Sequence, residues 1–402
     1  MKLLTNNQST VERYLDVTYT NQPFNARVKE FISAFSEKIL SNKSLRNYPD
    51  IIALGFWMRR KNIERLEVYF NEKYPDRIAC GTVLHFAPSN VDTIFIYSLF
   101  VSLLLGNKNV VRVSSKNSDE KNLILEELNN TIDAGFNDIL DYVMIISYSH
   151  NDKITSSLSS KSNLRVIWGG DAAVDKISNY PLPSTSNEIK FANKYSLCVV
   201  KASQLTSVSD DVLDKLVINF ANDIYWFGQQ GCSSPRTIVW LNDIAIEDLS
   251  ALKDNFYERV KNIAATKFSN EIGESDVMNK KVACDVMAAY MSDSKIIEHS
   301  GDLTRFIVRN AVEHNAIRQN NVGSGLLIEL TVSKLDNITP LIDRTTQTIT
   351  YFGFDIMELK SFFNRVQVHP DRVVPVGRAL EFSTIWDGYD LLVSMTRGVY
   401  YE

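Results

Sequence analysis

Apolar residues recur at helical spacing over 28–40 (VKEFISAFSEKIL), and the same period predicts shorter helices over 53–60 and 62–70. The rest of the first fifty residues is polar and helix-prone. From residue 77 the pattern changes. RIACGTVLHFAPSN (77–90) is a β-like apolar run closed by a Pro-Ser-Asn turn. TIFIYSLFVSLLL (93–105) spans 13 residues and is too short to cross a bilayer, so it predicts a buried helix, stopped by Gly106 and Asn107. Strands are then expected over 109–115, 142–147 and 164–170, and helices over 123–134 and 171–179. Strands alternating with helices imply parallel βαβ units, the architecture of a nucleotide-binding domain with its ligand at the carboxyl ends of the strands.

The segment PLPSTS (181–186) is a breaker cluster and the expected domain boundary. Beyond it the alternation restarts. Strands are expected over 195–200, 236–241, 326–330, 348–352 and 371–376, and helices over 208–226, 253–268 and 275–291. The expected organisation is therefore two α/β domains: residues 1–187, with N-terminal helices and a Rossmann-like cofactor domain, and residues 188–402, a second α/β domain. A length of 402 residues suits two cores better than one.

Composition narrows the function classes. A formal net charge of -5, without a dense Lys/Arg run, argues against nucleic acid. The N-terminus MKLLTNNQST turns polar after two leucines, with no signal-type apolar region, and no stretch predicts a membrane span; the cytoplasm is the expected location. Cys80, Cys198, Cys232 and Cys284 are far apart, with no CxxC pair and no histidine at ligand spacing, so neither a disulfide framework nor a metal site is expected. No G-x-S-x-G elbow supports a serine hydrolase.

The strongest chemical signal is FGQQGCSSPR (227–236). It lies between a long amphipathic helix and a strand, and its glycine-bounded turn presents Cys232. A cysteine there is a candidate nucleophile, which must react as the thiolate; the alternative is a buried, inert thiol. Cys80 and Cys198 in apolar strands, and Cys284 in a helical pattern, fit that alternative better. Asn90, in APSNV, stands at a strand-to-helix turn where its amide could donate to an oxyanion or simply cap the helix. Gly169 and Gly170 follow a strand and precede a helix, a place for phosphate but also a common turn of any α/β fold. Arg112 ends a strand ahead of Ser114 and could meet a ribose or a 2′-phosphate, or face solvent.

Taken in order, these elements resemble the aldehyde dehydrogenase superfamily, and most closely its LuxC-type acyl-CoA reductase branch, from about Ile78 to the C-terminus. APSNVDTIFIYSLFVSLLLGNKNVVRVSS is similar to the superfamily's Pro-x-Asn turn, buried helix and following strand; VIWGGDAAV to its cofactor glycine segment; FGQQGCSSPR to its G-Q-x-C segment. DRVVPVGRALEFSTIWDGYDLL (371–392) resembles the LuxC branch specifically. The resemblance implies Cys232 as nucleophile, with Asn90 and the Cys232 backbone N–H as oxyanion donors. It places Arg112, Ser114, Gly169 and Gly170 beside a nicotinamide cofactor, NADPH by the habit of the branch, with NADH open because Arg112 stands where the superfamily has lysine. It further implies an acyl thioester substrate, a homo-oligomer, and an acyl-protein synthetase as partner.

One departure sharpens this. The hydrolytic members carry a water-activating glutamate in an E-L-G-G-K segment, whereas the matching stretch here, IKFANKYS (189–196), has none, and Glu188 is out of register. Without that base an acyl-enzyme would be spared from water. The expectation is NAD(P)H-dependent reduction of an acyl thioester to an aldehyde. An acyltransferase or thioesterase using the same cysteine, an aldehyde oxidiser and a non-catalytic subunit are the competing readings.

Overall fold

The structure, a computed structural model, describes the chain except residues 18–19, 89–90, 269–272, 292–293 and 301 and the side chains of 299 and 300. It divides into two compact units: Met1–Asn193 together with Phe382–Glu402, and Lys194–Glu381.

The first unit is built on a sheet in the order Lys2–Leu3, Val143–Ser147, Lys108–Val113, Thr82–Phe86, Leu164–Trp168, Asn187–Phe191, parallel except for the antiparallel N-terminal edge. In chain order its parallel strands lie 3-2-1-4-5. The direction reverses between Thr82–Phe86 and Leu164–Trp168, and such a reversal opens a crevice at the carboxyl ends of the two strands. The helix Thr93–Leu104 is buried along its whole length against one face of the sheet. Gly106 stops it with a left-handed φ of +84°, where any Cβ would collide with Asn21 O. Asn107 then accepts the N–H groups of Cys80 and Gly81 and donates to Met395 O, tying three distant segments together. The opposite face is covered by Val11–Asp16, Asp152–Ser159 and Asp171–Ser178.

Two expectations are corrected here. The run 77–90 is not one strand. Arg77–Ala79 pairs with Thr396–Gly398 and Thr82–Phe86 enters the main sheet, because Gly81, at φ +121°, turns the chain between them. The division also falls after residue 193 rather than at 187. Asn187–Phe191 completes the first sheet beside Leu164–Trp168, and the tail from Phe382 returns to the first unit. PLPSTS is a loop inside that unit, with Ser186 Oγ donating to Ser162 O at 2.7 Å.

The second unit carries a sheet in the order Lys295–Ser300, Leu303–Ile307, Leu326–Val332, Thr237–Leu241, Tyr195–Lys201, Thr346–Phe352, Arg372–Pro375, parallel apart from its first pair. Asp210–Tyr225 and Ile246–Lys267 pack on one face, Glu274–Ala289 and Ile356–Val366 on the other. Glu329 interrupts the apolar run of its strand. It is fully buried and neutralised by Lys253 at 2.8 Å and Arg305 at 2.7 Å, with the Tyr257 hydroxyl also donating to it. Among the described residues no helix is long and apolar enough to cross a membrane.

Candidate active site

Helix Asp210–Tyr225 delivers the cysteine segment. It ends abruptly: Trp226 leaves helical geometry, and Phe227, Gly228 and Gln229 take left-handed φ values of 60°, 56° and 63°. Left-handed backbone costs about 1–2 kcal/mol at each non-glycine residue, so this reversal must be held from outside. Gln229 does much of that. Its buried amide donates to Pro235 O at 2.7 Å and accepts the Gly325 N–H at 2.9 Å. Ser324 N–H donates to Gly228 O at 2.9 Å, and Gln230 Nε2 donates to Val322 O at 2.8 Å. The loop 321–325 thus clamps the turn. A side chain at Gly323 would meet Gln230 Nε2 at 2.9 Å, and one at Gly325 would meet Asp302 O at 1.9 Å; both glycines have φ of +78°.

Cys232 sits at the exposed end of this turn. Its carbonyl accepts the Ser196 hydroxyl at 2.7 Å, and the Ser196 hydroxyl oxygen in turn accepts Thr348 N–H, so the cysteine is anchored to two sheet strands. The other thiols are unsuited to nucleophilic work: burial pushes Cys80 and Cys198 up to about 12, and Cys284 to about 11. Behind the turn, Arg236 donates from Nη1 to Asn321 O at 3.0 Å and from Nη2 to Gln229 O at 3.4 Å.

A further anchor comes from the tail segment. Asp223, buried in the helix that leads to the turn, accepts the N–H groups of Gly377 and Ala379 at 2.6 and 3.0 Å. Burial lifts its carboxyl to about 7 even though both N–H groups pull it down. Gly377, at φ +95°, lies against Asn219 with no room for a Cβ, and Leu380 comes to rest beside Gly231.

In the first unit the expected cofactor residues gather at the carboxyl side of the sheet. Arg112 lies between Phe86 and Ile146 in strand register, half-buried, with Nη2 donating to Tyr148 O at 3.2 Å and the guanidinium 5.4 Å from the Tyr148 ring centre. Ser114 follows, its hydroxyl accepting Lys116 N–H. Gly169 and Gly170 follow Leu164–Trp168, which lies beyond Thr82–Phe86 across the reversal point, and lead into Asp171–Ser178. The Gly169 N–H is taken by Phe191 O, and the Asp171 carboxylate occupies the first helical turn, accepting Asn193 N–H. A carboxylate there repels phosphate, so the glycines offer close approach rather than an anion cradle. The strand order, the small residues and the guanidinium together fit a dinucleotide. Asn90 lies outside the described residues; Ala87, three residues before it, donates its N–H to Arg112 O at 2.9 Å.

Glu188 is committed elsewhere. Burial would raise its pKa, but Lys190, Ser178 and Arg165 outweigh that and hold the carboxyl below its usual range. Sequence reasoning did not single out Gln229, Arg236, Asp223 or the loop 321–325. The first two stand inside the cysteine motif, and NVGSG is legible as a tight turn, but nothing local shows that it grips the cysteine turn.

Residues 57–398 match the family model described as acyl-CoA reductase (LuxC). No functionally curated protein matches the sequence. Among solved structures, the chain is similar to a point mutant of 1-pyrroline-5-carboxylate dehydrogenase from Thermus thermophilus, with a TM-score of 0.64 and 12% identity over 96% of this chain and 84% of that one. It is also similar to an NAD-dependent benzaldehyde dehydrogenase from Corynebacterium glutamicum, with a TM-score of 0.63 and 14% identity over 96% and 86%. Betaine aldehyde dehydrogenase from Staphylococcus aureus aligns with a TM-score of 0.61 and 14% identity over 90% and 77%. At these identities the likeness establishes the aldehyde dehydrogenase fold.

Proposed function

Since the chain belongs to the LuxC acyl-CoA reductase family, we propose that it reduces an acyl thioester to an aldehyde with a nicotinamide cofactor, carrying the acyl group on Cys232. The observation that bears most weight is Cys232 itself: the one exposed thiol, presented by a turn that outside contacts hold in left-handed geometry.

The Cys232 thiolate attacks the thioester carbonyl, and the C–S bond to the carrier breaks, releasing the carrier thiol. Asn90, in the register of the family resemblance, donates to the oxyanion as it develops. The clamp by Gln229 and the anchor from Ser196 keep the sulfur from moving between the two halves of the reaction. Arg112 and Ser114 would hold the cofactor, with Gly169 and Gly170 allowing its close approach; when bound, the cofactor supplies the hydride that reduces the acyl carbon. The C–S bond to Cys232 then breaks, aldehyde leaves, and the thiolate is restored. Splitting one difficult reduction into acyl transfer to Cys232 and hydride addition to the same acyl carbon is what covalent catalysis contributes. The lack of a glutamate in 189–196 supports reduction over hydrolysis.

NADPH is the proposed donor, with NADH also accepted; the similar C. glutamicum enzyme is NAD-dependent. The setting proposed is a cytoplasmic homo-oligomer served by an acyl-protein synthetase. Acyl-CoA-dependent loss of NADPH absorbance, with stoichiometric aldehyde and free thiol, tests the reading. Thiol release without loss of NADPH would replace it with an acyltransferase or thioesterase.

A further inference from the structure

Three polar side chains lie deep in the first unit, in the layer that Val83, Val111 and Val166 share with helix Thr93–Leu104. His85, Ser98 and Asn109 are each 1% exposed or less. Their hydrogen bonds run in one consistent direction. The Asn109 amide nitrogen donates to Asn107 O at 2.8 Å and to Tyr142 O at 3.3 Å, so its oxygen faces His85 and accepts. His85 Nε2, 3.0 Å from that oxygen, therefore carries the proton. Burial pushes the ring down to about 4, outweighing the bond to Asn109, so Nδ1 is an acceptor. The Ser98 hydroxyl donates to Nδ1 at 2.8 Å, and the Ser98 oxygen accepts the indole N–H of Trp168 at 3.2 Å.

The relay spans the reversal point of the sheet. His85 stands on Thr82–Phe86, Trp168 ends Leu164–Trp168, and Ser98 bridges them from the helix. These two strands flank the crevice in which a dinucleotide lies. Arg112, proposed for the adenosine half, stands on Lys108–Val113, on the other side of Thr82–Phe86. A dinucleotide that crosses the reversal from there brings its nicotinamide half towards Trp168 and the two glycines that follow it. Ring contacts fix Trp168 further. It stacks on Phe191 with ring centres 3.7 Å apart, and Trp386 and Tyr97 meet it edge-on.

Burying polar groups costs stability unless each is bonded, whereas a fully bonded network fixes one geometry. Apolar side chains alone would hold the helix to the sheet; they would not hold an indole N–H in one direction. We propose that the relay sets Trp168: the indole walls the crevice at its nicotinamide end, and Ser98 and His85 are positioning residues for it. This rests on the nicotinamide reading of the first unit. Trp168 is then a cofactor-contacting residue, and Ser98 and His85 act through it, tying the ends of the two strands that the cofactor must cross.

Equilibrium binding of NADPH and of 2′-phospho-ADP-ribose, which lacks the nicotinamide, to the full chain tests this. Ser98→Ala removes both the acceptor of the Trp168 N–H and the donor to His85. It should weaken NADPH about tenfold, the scale of a buried hydrogen bond, and leave 2′-phospho-ADP-ribose unchanged. Trp168→Phe, which keeps a ring against Phe191 without the N–H, should repeat the pattern. Labelling of Cys232 by acyl-CoA without cofactor should proceed at the wild-type rate in both variants, which general damage to the fold would not allow. Equal weakening of both ligands, or no change in either, would overturn the proposal. If melting curves show that Ser98→Ala does not fold, Trp168→Phe decides by the same outcomes. A wild-type chain that binds neither ligand would overturn the nicotinamide reading itself, and the role of the relay with it.

Discussion

The side-chain oxygen of Gln229 accepts the N–H of Gly325 at 2.9 Å, joining the turn that presents Cys232 to a loop almost a hundred residues further along the chain. The same amide donates to Pro235 O. Gln229→Ala leaves a buried donor and a buried acceptor without partners. Each costs about 1–3 kcal/mol, so the urea midpoint should drop accordingly. Activity of the folded fraction should also fall, because the left-handed turn loses its hold. Gly325→Ala should be at least as damaging, since its Cβ would overlap Asp302 O.

Cys232 is exposed, so removing its sulfur leaves the core untouched. Cys232→Ala should melt with the wild type yet lose about 10³-fold or more of its reductase rate. Full activity in this variant would show that Cys232 does not carry the acyl group.

Asn90→Ala should lower kcat by about 10²–10³, the usual loss for one oxyanion donor, with little change in KM for the acyl donor. A helix cap alone would instead show as a small loss of stability with kcat preserved.

Arg112 is steadied by Tyr148 O and the Tyr148 ring at the carboxyl end of its strand. Arg112→Ala should raise KM for NADPH by about 10-fold or more, the value of a charge-assisted hydrogen bond, and raise KM for NADH less. Equal effects on both cofactors would place the guanidinium on the shared ribose rather than a 2′-phosphate.

Asp223 gives a pH signature. Burial lifts it from the ordinary 3.8 to about 7, so across that window the folded chain keeps a proton that the unfolded chain has released. Its contribution to stability is greatest at acid pH, declines as pH rises towards 7 and is level above. Asp223→Asn should flatten this slope in urea midpoints measured across the window. It should also lower stability at acid pH by about 1–3 kcal/mol, because the new amide sets an NH2 against one of two N–H donors. A slope unchanged in the variant would show that another group carries it.

What could be read from sequence was local. The apolar helix that became Thr93–Leu104, the strands leading to Arg112 and Gly169, and the glycine-bounded Cys232 each carry their own period or breaker signal. What escaped was long-range. The tail from Phe382 returns to the first unit through Asn107 and the pairing of Thr396–Gly398 with Arg77–Ala79, contacts with no local signature. Asn187–Phe191 escaped because an edge strand with a charged, ion-paired Glu188 reads as a loop. The strands Lys295–Ser300 and Leu303–Ile307 and the helix Ile356–Val366 were likewise not anticipated. The grip of loop 321–325 on the cysteine turn depends on hydrogen bonds between segments that only folding brings together.

The central claim is an acyl group held on Cys232 and then reduced. Incubating the protein with an isotopically labelled acyl-CoA, quenching, and mapping the adduct by peptide mass spectrometry tests it most directly. The account predicts one label per chain, on Cys232, which disappears on addition of NADPH as labelled aldehyde forms. A label on another residue, or NADPH-dependent aldehyde formation from a competent acyl-CoA by Cys232→Ala at the wild-type rate, would contradict it.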